Sequence, residues 1–449
     1  MLWSTENSTP DSLEASCKKD KQSRKFVLFF CLALILTLII AVGNNHQTNS
    51  AENSSYSYLA RVFDLSFATT QTDKNVRQDR SKNNLGFMVS YAAIDSTSEL
   101  EEISQKVAFT YDNAVAALAF IASDDRERAK QIVDTLVAAQ RRDRAFQDGR
   151  IRNAYKGGRF DPSSTHFLLP GRYNAQTDSW QESESHVSTH TGNVAWAMLA
   201  LLGYYESYGG DEYFQAAIAM GRWIEGNCRD GRGAGGYTGG YTGWETQQQK
   251  LSYKSTEHNL DLYAVFARLY LLTGKPVWQE RANHAKNFVL AMWNKDKGHF
   301  WTGTEDDGVT IYREVIPLDA QTWTPLALKA AAKSYLDCLE YVEQHHALKR
   351  GFDFNQDRDG VWYEGTAQMA LAYRETDRLH KAQVVLAMLK TAKQRSGAMP
   401  TTDRITLTTG FIQPDGTPWL YFRSLHIGAT AWTVLAERGV NPFWLGSSK

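Results

Sequence analysis

The chain has 449 residues, of which 43% are hydrophobic, and its 49 basic and 50 acidic residues leave a formal net charge of -1. This length and hydrophobic content suit one large globular domain or two smaller ones. The balanced charge, without a basic stripe among the aromatic residues, gives no field to attract nucleic acid, and no nucleic-acid partner is expected. The aromatic content is high at 12%, and flat rings in a cleft are suited to stacking on the apolar faces of sugars.

The N-terminal part contains an uncharged apolar run at 26–43, which follows five basic residues between positions 18 and 25. At about 1.5 Å per residue, the run is just long enough to cross the hydrocarbon core of a membrane. The upstream positive charges favour a cytoplasmic 1–25, with everything after the run exported to the periplasm or the cell exterior. The sequence therefore predicts a single-pass signal anchor. A cleavable signal peptide is the alternative, because Ala41, Val42 and Gly43 resemble a small-x-small cleavage site.

The sequence between the apolar run and residue 100 is polar and mixed. Residues 44–57 are rich in Asn and Ser and predict a flexible stem, and 44–99 as a whole is expected to be a stem and lead-in segment. Cys228 and Cys338 are the cysteines that follow the apolar run. Two separate buried thiols are expected rather than a disulfide.

Helical stretches come in pairs from about residue 100 onwards. The first member of each pair is apolar on nearly all sides, which is typical of a helix surrounded by other helices. The second members alternate charged and apolar faces, as half-exposed helices do. The first members are at 110–122, 191–205, 255–272, 317–332, 362–375 and 426–438, and the second members include 127–142, 212–226 and 276–293.

Six buried helices, each backed by an amphipathic one, favour a closed ring, because an open stack would expose apolar ends. The predicted fold class is all-α. In this arrangement residues 100–449 resemble the six-hairpin (α/α)6 toroid of many glycoside hydrolases, polysaccharide lyases and sugar epimerases. The resemblance concerns architecture, and it implies a catalytic-type domain that acts on carbohydrates without pointing to one family.

The starts of the six apolar helices carry polar residues, as in KSTEHNLDLYAVF at 254–266. Parallel helices in a ring would bring these starts together at one end, where they would face a shared cavity. Polar residues at a helix start also cap free N–H groups, and Ser255 or Thr256 suffices for that role in this stretch. Capping does not require His, Trp, Tyr and Gln repeatedly at equivalent places, so the set as a whole favours a site.

Hydrolysis of a glycosidic bond needs one carboxylic acid to protonate the leaving oxygen and one carboxylate to activate water or attack the anomeric carbon. Glu364 is the candidate acid, because its aromatic neighbours in the sequence would raise its pKa. Asp112 is the preferred base and Asp319 the next, while Glu257 and His258 could instead form the acid-base pair. This chemistry needs no metal or cofactor, and none is predicted.

The other polar and aromatic residues at the helix starts, with one from the glycine-rich loop 231–244, are expected to bind sugar by stacking or through hydroxyl groups. They are Tyr111, Asn113, His190, Asn193, Tyr237, Asn259, Asp261, Gln321, Trp323, Trp362 and His426. The acidic loop 353–365 resembles a calcium loop but has Arg358 where such a loop needs glycine, so a solvated turn is expected, with an irregular calcium site as the alternative.

Three alternative functions remain open on the same scaffold. A lyase acting on uronic acids would depend on the histidines, Tyr111 and Arg152. A sugar epimerase would use a pair of histidines across the cavity, such as His258 and His426. A tethered glycan-binding scaffold would have lost the chemistry altogether. Hydrolysis of a polysaccharide by two-carboxylate catalysis is the first expectation, and a membrane anchor would suit an enzyme that trims a polysaccharide being made or secreted.

Overall fold

The structure is a computed structural model that describes residues 54–68, 84–94, 104, 106–413 and 416–447. All of these but residue 54 belong to the compact unit Ser55–Lys449. The α-helices of these residues are α1 (Ser55–Ser66), α2 (Thr110–Ile121), α3 (Arg126–Arg141), α4 (Glu184–Val187), α5 (Thr191–Tyr208), α6 (Asp211–Cys228), α7 (Thr256–Thr273), α8 (Pro276–Ala291), α9 (Leu318–Leu328), α10 (Asp337–His345), α11 (Tyr363–Glu375), α12 (Leu379–Ala392) and α13 (Ile427–Arg438). Short 3-10 helices span Lys329–Tyr335 and Pro442–Trp444.

Six of these helices form a closed inner ring. The order around the ring is α2, α5, α7, α9, α11 and α13, each packed against the next, and α13 packs against α2. The outer helices α3, α6, α8, α10 and α12 each pack against the inner helix that precedes them, and α1 packs against α13. The predicted (α/α)6 toroid is therefore confirmed.

The burial of the two kinds of helix follows their sequence patterns. Every residue of α9 is buried, as expected for a helix with neighbours on all sides. In α8 the buried residues are Trp278, Ala282, Ala285, Phe288 and Val289, which recur three or four positions apart and form one stripe. The apolar and amphipathic patterns thus separate inner from outer helices.

The outer helix of the sixth hairpin comes from the segment that the sequence predicts as a stem. Helix α1 buries Tyr58, Leu59 and Phe63 and contacts both α13 and α2. Residues 55–57, expected to be flexible, belong to this helix, because its apolar side completes the shell around α13. Residues 44–53 lie outside the described part of the chain.

Helix α9 ends earlier than predicted. The sequence pattern predicts a helix to residue 332, but α9 stops at Leu328, and Lys329 has a positive φ of 50° before the chain continues as a 3-10 helix. Pro325 within α9 has no N–H to donate to the carbonyl of Gln321. The thiol of Cys338 donates to that carbonyl at 3.3 Å instead. Both Cys338 and Cys228 are buried free thiols, as predicted.

Short antiparallel strands connect the helices. Their order in the chain is β1 (Gly86–Phe87), β2 (Tyr91–Ala92), β3 (Val107–Phe109), β4 (Ala154–Lys156), β5 (Gly158–Arg159), β6 (Gly171–Asn174), β7 (Ser179–Glu182), β8 (Thr189–His190), β9 (Gly240–Thr242), β10 (Gln249–Leu251), β11 (Trp293–Asn294), β12 (His299–Phe300), β13 (Gly303–Thr304), β14 (Ile311–Tyr312), β15 (Ala347–Leu348), β16 (Gly351–Phe352), β17 (Met399–Pro400), β18 (Thr406–Ile412), β19 (Pro418–Phe422) and β20 (Leu425–His426). They form small sheets such as β10-β9-β8 and β17-β20-β2. Since β3, β8 and β20 run directly into inner helices, the strands lie at the N-terminal end of the ring.

The C-terminal end of the ring is filled by the last described residues. The ring of Phe443 lies 5.3 Å from that of Trp196 and 5.7 Å from that of Trp323. The buried guanidinium of Arg268 donates to the carbonyl of Leu445 at 2.8 Å and to Glu206 at 2.7 Å. The ring axis is therefore closed at this end, whereas side chains at the helix starts of the other end, such as Tyr111, Glu257 and His258, are partly exposed.

The predicted membrane anchor at 26–43 lies outside the described residues. Among the helices that the structure describes, none is both long and apolar enough to cross a bilayer.

Candidate active site

The six inner helices can be aligned by their first residues, and the second position of each then forms a ring of side chains. Three successive helices carry a carboxylate there: Glu257 on α7, Asp319 on α9 and Glu364 on α11. Helix α2 has Tyr111 at this position, and α5 and α13 have glycine. The structure thus brings together three of the predicted catalytic residues at equivalent places around one half of the ring.

The pKa values of these three carboxyl groups are all raised. Burial raises the pKa of Glu364 to about 7 and that of Asp319 to about 7. The pKa of Glu257 is raised well above its ordinary value by burial and then by the charges of Asp319 and Glu364. Like charges at close range cannot all ionise together. The cluster therefore holds protons at neutral pH, as a general acid requires.

Glu364 lies at the centre of a chain of polar contacts. The hydroxyl of Tyr111 donates to its Oε1 at 2.5 Å, and Nε1 of Trp432 donates to the Tyr111 hydroxyl at 2.7 Å. On the other side, Nδ1 of His426 lies 3.6 Å from Oε2 of Glu364, and Nε2 of His426 lies 3.1 Å from Oδ1 of Asp112. These contacts fix the orientation of the Glu364 carboxyl group.

The tautomer of His426 follows from its backbone contact. Its Nδ1 accepts a hydrogen bond from the N–H of Ala429 at 3.3 Å, so the proton lies on Nε2, which donates to Asp112. Burial alone would lower the pKa of His426, but the charge and hydrogen bond of Asp112 raise it above the ordinary value. Asp112, predicted as the base, is thus engaged in holding this imidazole.

The two glycines at the second position make room for these side chains. A Cβ atom at Gly428 would lie 2.6 Å from Oδ1 of Asp112 and 3.1 Å from Oε2 of Glu364. A Cβ atom at Gly192 would lie 2.4 Å from Cδ2 of His258. Both helix starts therefore require glycine, because a larger residue would displace a side chain of the site.

His190 and His258 are neutral. Burial lowers the pKa of His190 to about 4, and burial together with His190 lowers that of His258 to about 3. Asn153 accepts hydrogen bonds from the backbone N–H of His190 at 2.7 Å and from the side chain of Asn193 at 3.1 Å. The predicted residues His190, Asn193 and His258 thus lie together on the α5–α7 side of the cavity, where neutral imidazoles can bind hydroxyl groups.

Three predicted sugar-binding amides have a structural role instead. Asn113, Asn259 and Gln321 occupy the fourth position of their helices, and each exchanges hydrogen bonds with both backbone groups of one residue on a preceding segment. The N–H of Tyr237 donates to Asn259 Oδ1 at 2.9 Å, and Asn259 Nδ2 donates to the carbonyl of Tyr237 at 3.1 Å. Asn113 binds Met88 and Gln321 binds Phe300 in the same way. Their amides are fully occupied, which removes them from the proposed binding set.

A similar arrangement occurs on the last two hairpins, where a threonine hydroxyl at the fourth helix position binds the backbone of a preceding segment. The Oγ1 of Thr366 accepts from the N–H of Phe352 at 3.0 Å, and that of Thr430 accepts from the N–H of Met399 at 3.0 Å. We call Asn113, Asn259, Gln321, Thr366 and Thr430 the backbone clamps. They explain why polar residues recur at helix starts without all of them facing the cavity.

Several predicted aromatic and charged residues also differ from expectation. Tyr237 is fully buried and donates to Glu225 at 2.7 Å, so it is not a platform for sugar. Trp362 is buried and stacks on Tyr421. The guanidinium of Arg152 is enclosed by Asp143 and Glu245, at 2.5 Å and 2.6 Å, and it serves as a structural ion pair.

The floor of the cavity is formed by residues one turn below the ring of carboxylates. Trp196, Trp323 and Trp432 pack together, with Trp323 and Trp432 stacked at 6.0 Å. Trp323, predicted to stack on sugar, is therefore part of the floor. Asp261 lies one turn below Glu257, at the level of this floor, and is fully buried beside the indole N–H of Trp196. Asp261 is therefore part of the floor and is not exposed to a sugar in the cavity.

Sequence reasoning missed three tyrosines around the cavity. Tyr91 on β2 pairs with His426 across the sheet and stacks on its ring at 4.7 Å. Burial and the charge of Glu257 raise the pKa of Tyr253, and burial and the charge of Glu364 raise that of Tyr421. Tyr253 and Tyr421 lie only three and six residues before the first residues of α7 and α13, but no local pattern marks any of the three tyrosines.

The acidic loop 353–365 does bring carboxylates together. Oxygen atoms of Asp353, Asp357 and Asp359 lie within 4.8 Å of one another. Asp353 accepts the N–H of Phe354 at 2.6 Å. The other two carboxylates are exposed, as expected for the solvated turn predicted from the sequence.

No protein-family model matches the chain, and no curated protein matches it. Solved structures do match. One is an alpha-amylase from Clostridium perfringens, with a TM-score of 0.59, 10% identity and coverage of 86% of this chain and 98% of that one. Another is a cellobiose 2-epimerase from Bacillus thermoamylovorans, with a TM-score of 0.54, 12% identity and coverage of 85% and 99%. A glycosidase in complex with glucose has a TM-score of 0.53, 12% identity and coverage of 86% and 97%.

These similarities extend over nearly the whole of each matched chain. Together with the closed ring of hairpins, they identify the fold as a six-hairpin (α/α)6 toroid. The matched proteins include glycosidases and epimerases, so the fold does not select the reaction, and the activity has to be argued from the site.

Proposed function

We propose that the protein is a carbohydrate-active enzyme that hydrolyses glycosidic bonds in an uncharged polysaccharide or oligosaccharide. One observation carries this proposal. Glu257, Asp319 and Glu364 occupy the same position on three successive inner helices, and all three have raised pKa values. Glycoside hydrolysis requires carboxyl groups that differ in protonation on either side of one bond.

Glu364 is the proposed general acid. Its carboxyl group is oriented by Tyr111 and His426, and burial raises its pKa to about 7, so it holds a proton near neutral pH. A carboxylic acid poised near the working pH can protonate the leaving oxygen and be reprotonated after each turnover.

Glu257 is the proposed base. Of the three carboxylates it alone is partly exposed to the cavity, whereas Asp319 and Glu364 are buried. Interacting carboxyl groups titrate as a unit, and one charged member raises the pKa of its neighbours. The charges of Asp319 and Glu364 raise the pKa of Glu257, so Glu257 can activate water as an ionised base only while those two groups hold their protons. Asp112 then acts through His426 as a positioning residue.

The electrostatics of the cavity argue for an uncharged substrate. Every charge that shifts the pKa of Glu257 belongs to another carboxylate. Arg152, which a lyase would need to neutralise a uronic acid, is instead paired with Asp143 and Glu245. A negatively charged sugar would meet like charges at close range.

A sugar epimerase is the second candidate. The observation that favours it is the placement of His258 and His426 on α7 and at the start of α13, which face each other across the ring. His426 is engaged by Asp112 and Glu364, however, and this leaves His258 as the imidazole free to move a proton. We therefore place epimerisation second.

The experiment is to incubate the full-length protein with neutral and uronic-acid glycans in D2O. New reducing ends that disappear in Glu364→Gln would support hydrolysis. Ultraviolet absorbance from an unsaturated sugar would instead indicate a lyase, and deuterium on a sugar carbon without cleavage would indicate an epimerase. Binding without any turnover would favour a scaffold.

The location of the enzyme is a separate proposal. The apolar run at 26–43 supports a single-pass anchor with the large domain on the exported side of the membrane. Carbonate washing of membranes from the native cell tests this proposal, because an anchored protein stays with the lipid and a secreted one is found in the medium.

A further inference from the structure

The hairpin of β18 and β19 forms part of the wall of the cavity. Leu407 on β18 pairs with Tyr421 on β19. The ring of Tyr421 stacks on that of Trp362 at 5.9 Å and 17°, and it lies 5.9 Å from the ring of Phe354. Trp362 directly precedes α11, which carries Glu364. One face of the hairpin thus packs on the rim of the active site.

Tyr421 extends from this face over the cavity. Its hydroxyl is close enough for the charges of Glu364, Asp319 and Glu257 to raise its pKa, after the effect of burial. These carboxylates belong to three different inner helices. The ring of Tyr421 therefore lies above the proposed catalytic groups and not off to one side.

Trp419 lies two residues before Tyr421 on the same strand. Side chains at alternate positions of a strand point to the same face, about 7 Å apart. Trp419 should therefore share the cavity side of the hairpin with Tyr421, yet 53% of its surface is exposed. An indole left open next to a polar cavity is a characteristic sugar platform, because its face matches the apolar face of a pyranose ring.

We propose that Trp419 and Tyr421 form an outer binding track that holds sugar units of the substrate beyond the catalytic cavity. This inference rests on the proposed function and deepens it. It identifies the substrate as a glycan chain longer than the unit bound at Glu364, with uncharged rings that stack on the track. Trp419 lies next to Tyr421, and Tyr421 lies next to the carboxylates. The track is therefore continuous with the catalytic groups, and its proposed occupant is the substrate chain.

The same strand offers a matched control. Phe422 neighbours Tyr421 and so points to the opposite face of β19, and 56% of its surface is exposed, much as for Trp419. Replacing either residue by alanine removes an exposed aromatic ring from the same hairpin. The two variants differ in whether that ring faces the cavity.

The test uses the full-length protein and compares long and short forms of whichever neutral glycan it cleaves. Trp419→Ala should raise KM for the long form about tenfold, leave kcat unchanged and have little effect on the shortest substrate. Trp419→Tyr should retain most of the binding, and Phe422→Ala should match the wild type. Equal effects of the two alanine variants, or no effect of either, would overturn the proposal.

A binding readout separates this inference from the proposed reaction. Retardation of the protein in gels that contain each neutral polysaccharide needs no catalysis. Retardation that is lost in Trp419→Ala and kept in Phe422→Ala would support the track even if no glycan were hydrolysed. Retardation unchanged in Trp419→Ala, or absent with every polysaccharide, would refute the track whatever the fate of the proposed reaction.

Discussion

Tyr111 and Glu364 share the shortest hydrogen bond of the proposed catalytic centre, and this contact predicts a pH effect. The bond from Tyr111 lowers the pKa of Glu364 because it favours the ionised form. Tyr111→Phe should therefore raise the pKa of the acid and move the alkaline limb of kcat/KM, near pH 7 in the wild type, to higher pH. At pH values below that limb, kcat/KM should fall about tenfold at most, because that factor corresponds to the free energy of one hydrogen bond.

The pH profile of kcat/KM for both proteins checks this prediction. Trp244→Phe, a change at a partly exposed residue on the loop 231–244, provides an aromatic control and should leave the limb in place. A shift to lower pH in Tyr111→Phe would mean that Glu364 is not the group that loses the proton.

Glu364 also links the active site to stability. Its pKa is 4.5 in the unfolded chain and about 7 when buried in the fold. The folded state thus binds an extra proton between these pH values. The stability that this proton contributes is complete below pH 4.5 and is lost as the pH rises through 7. Glu364→Gln removes this titration. The change that it causes in the free energy of unfolding should therefore be more favourable at pH 8 than at pH 4.5, by about 2–3 kcal/mol.

Urea unfolding of wild type and Glu364→Gln at both pH values measures that difference. Glu340→Gln, at a carboxylate of an outer helix that pairs with Arg378, serves as a control. If Glu364→Gln destabilises the protein equally at both pH values, the carboxyl group is not held protonated by burial.

At the residue scale the sequence identified the catalytic candidates but could not assign the polar residues around them. Asp112, Glu257, Asp319, Glu364 and His426 all converge as predicted, because helix starts in a ring must meet. Whether a side chain one or two positions further along faces the cavity or turns back to the chain depends on the preceding loop. That loop is fixed only by the tertiary fold, so the sequence predicts Asn113, Asn259 and Gln321 as sugar ligands although they are backbone clamps.

The backbone clamps lead to a prediction at the scale of the elements. Asn259→Ala would remove the hydrogen bonds to the N–H and carbonyl of Tyr237 and leave both groups buried and unpaired. The free energy of unfolding should fall by about 2–4 kcal/mol. Asn193→Ala is the matched control, since this asparagine is partly exposed and makes one side-chain contact, to Asn153. Its cost should stay below about 1 kcal/mol.

Urea denaturation of the two variants makes the comparison. Equal costs for Asn193→Ala and Asn259→Ala would show that the clamp does not hold the loop to the helix.

Helix α1 provides a second prediction at this scale. Leu59 is fully buried between α1 and the ring, whereas Leu65 on the same helix is 70% exposed. If α1 completes the sixth hairpin, Leu59→Ala should cost about 2–5 kcal/mol and Leu65→Ala less than about 0.5 kcal/mol. Thermal unfolding of the two variants measures this, and similar melting temperatures would mean that α1 is not part of the folded unit.

The five complete pairs were predictable because apolar and amphipathic helices alternate along the chain. The sixth pair was not, since its outer helix lies at the opposite end of the sequence from α13. Short-range patterns carry no information about which distant segment fills a gap in a closed ring. The same reason applies to Tyr91, which reaches His426 only because β2 pairs with β20.

For the whole molecule, the closed ring explains why one end carries the chemistry. Phe443 and the tryptophan floor fill the C-terminal end, so substrates enter where the helix starts, the strands and the β18–β19 hairpin lie. The overall architecture was predictable from the number of apolar helices. The choice among hydrolase, lyase and epimerase was not, because it depends on the protonation of groups that only the folded ring brings together.

We propose that Glu364 protonates the leaving group of a glycosidic bond. The most direct measurement compares kcat/KM of wild type and Glu364→Gln on two substrates with the same sugar. One carries the natural sugar leaving group, and the other an activated aryl group that departs without a proton. The variant should lose about 10²–10⁴-fold on the natural substrate and far less on the activated one. An equal loss on both substrates would contradict the proposed role of Glu364.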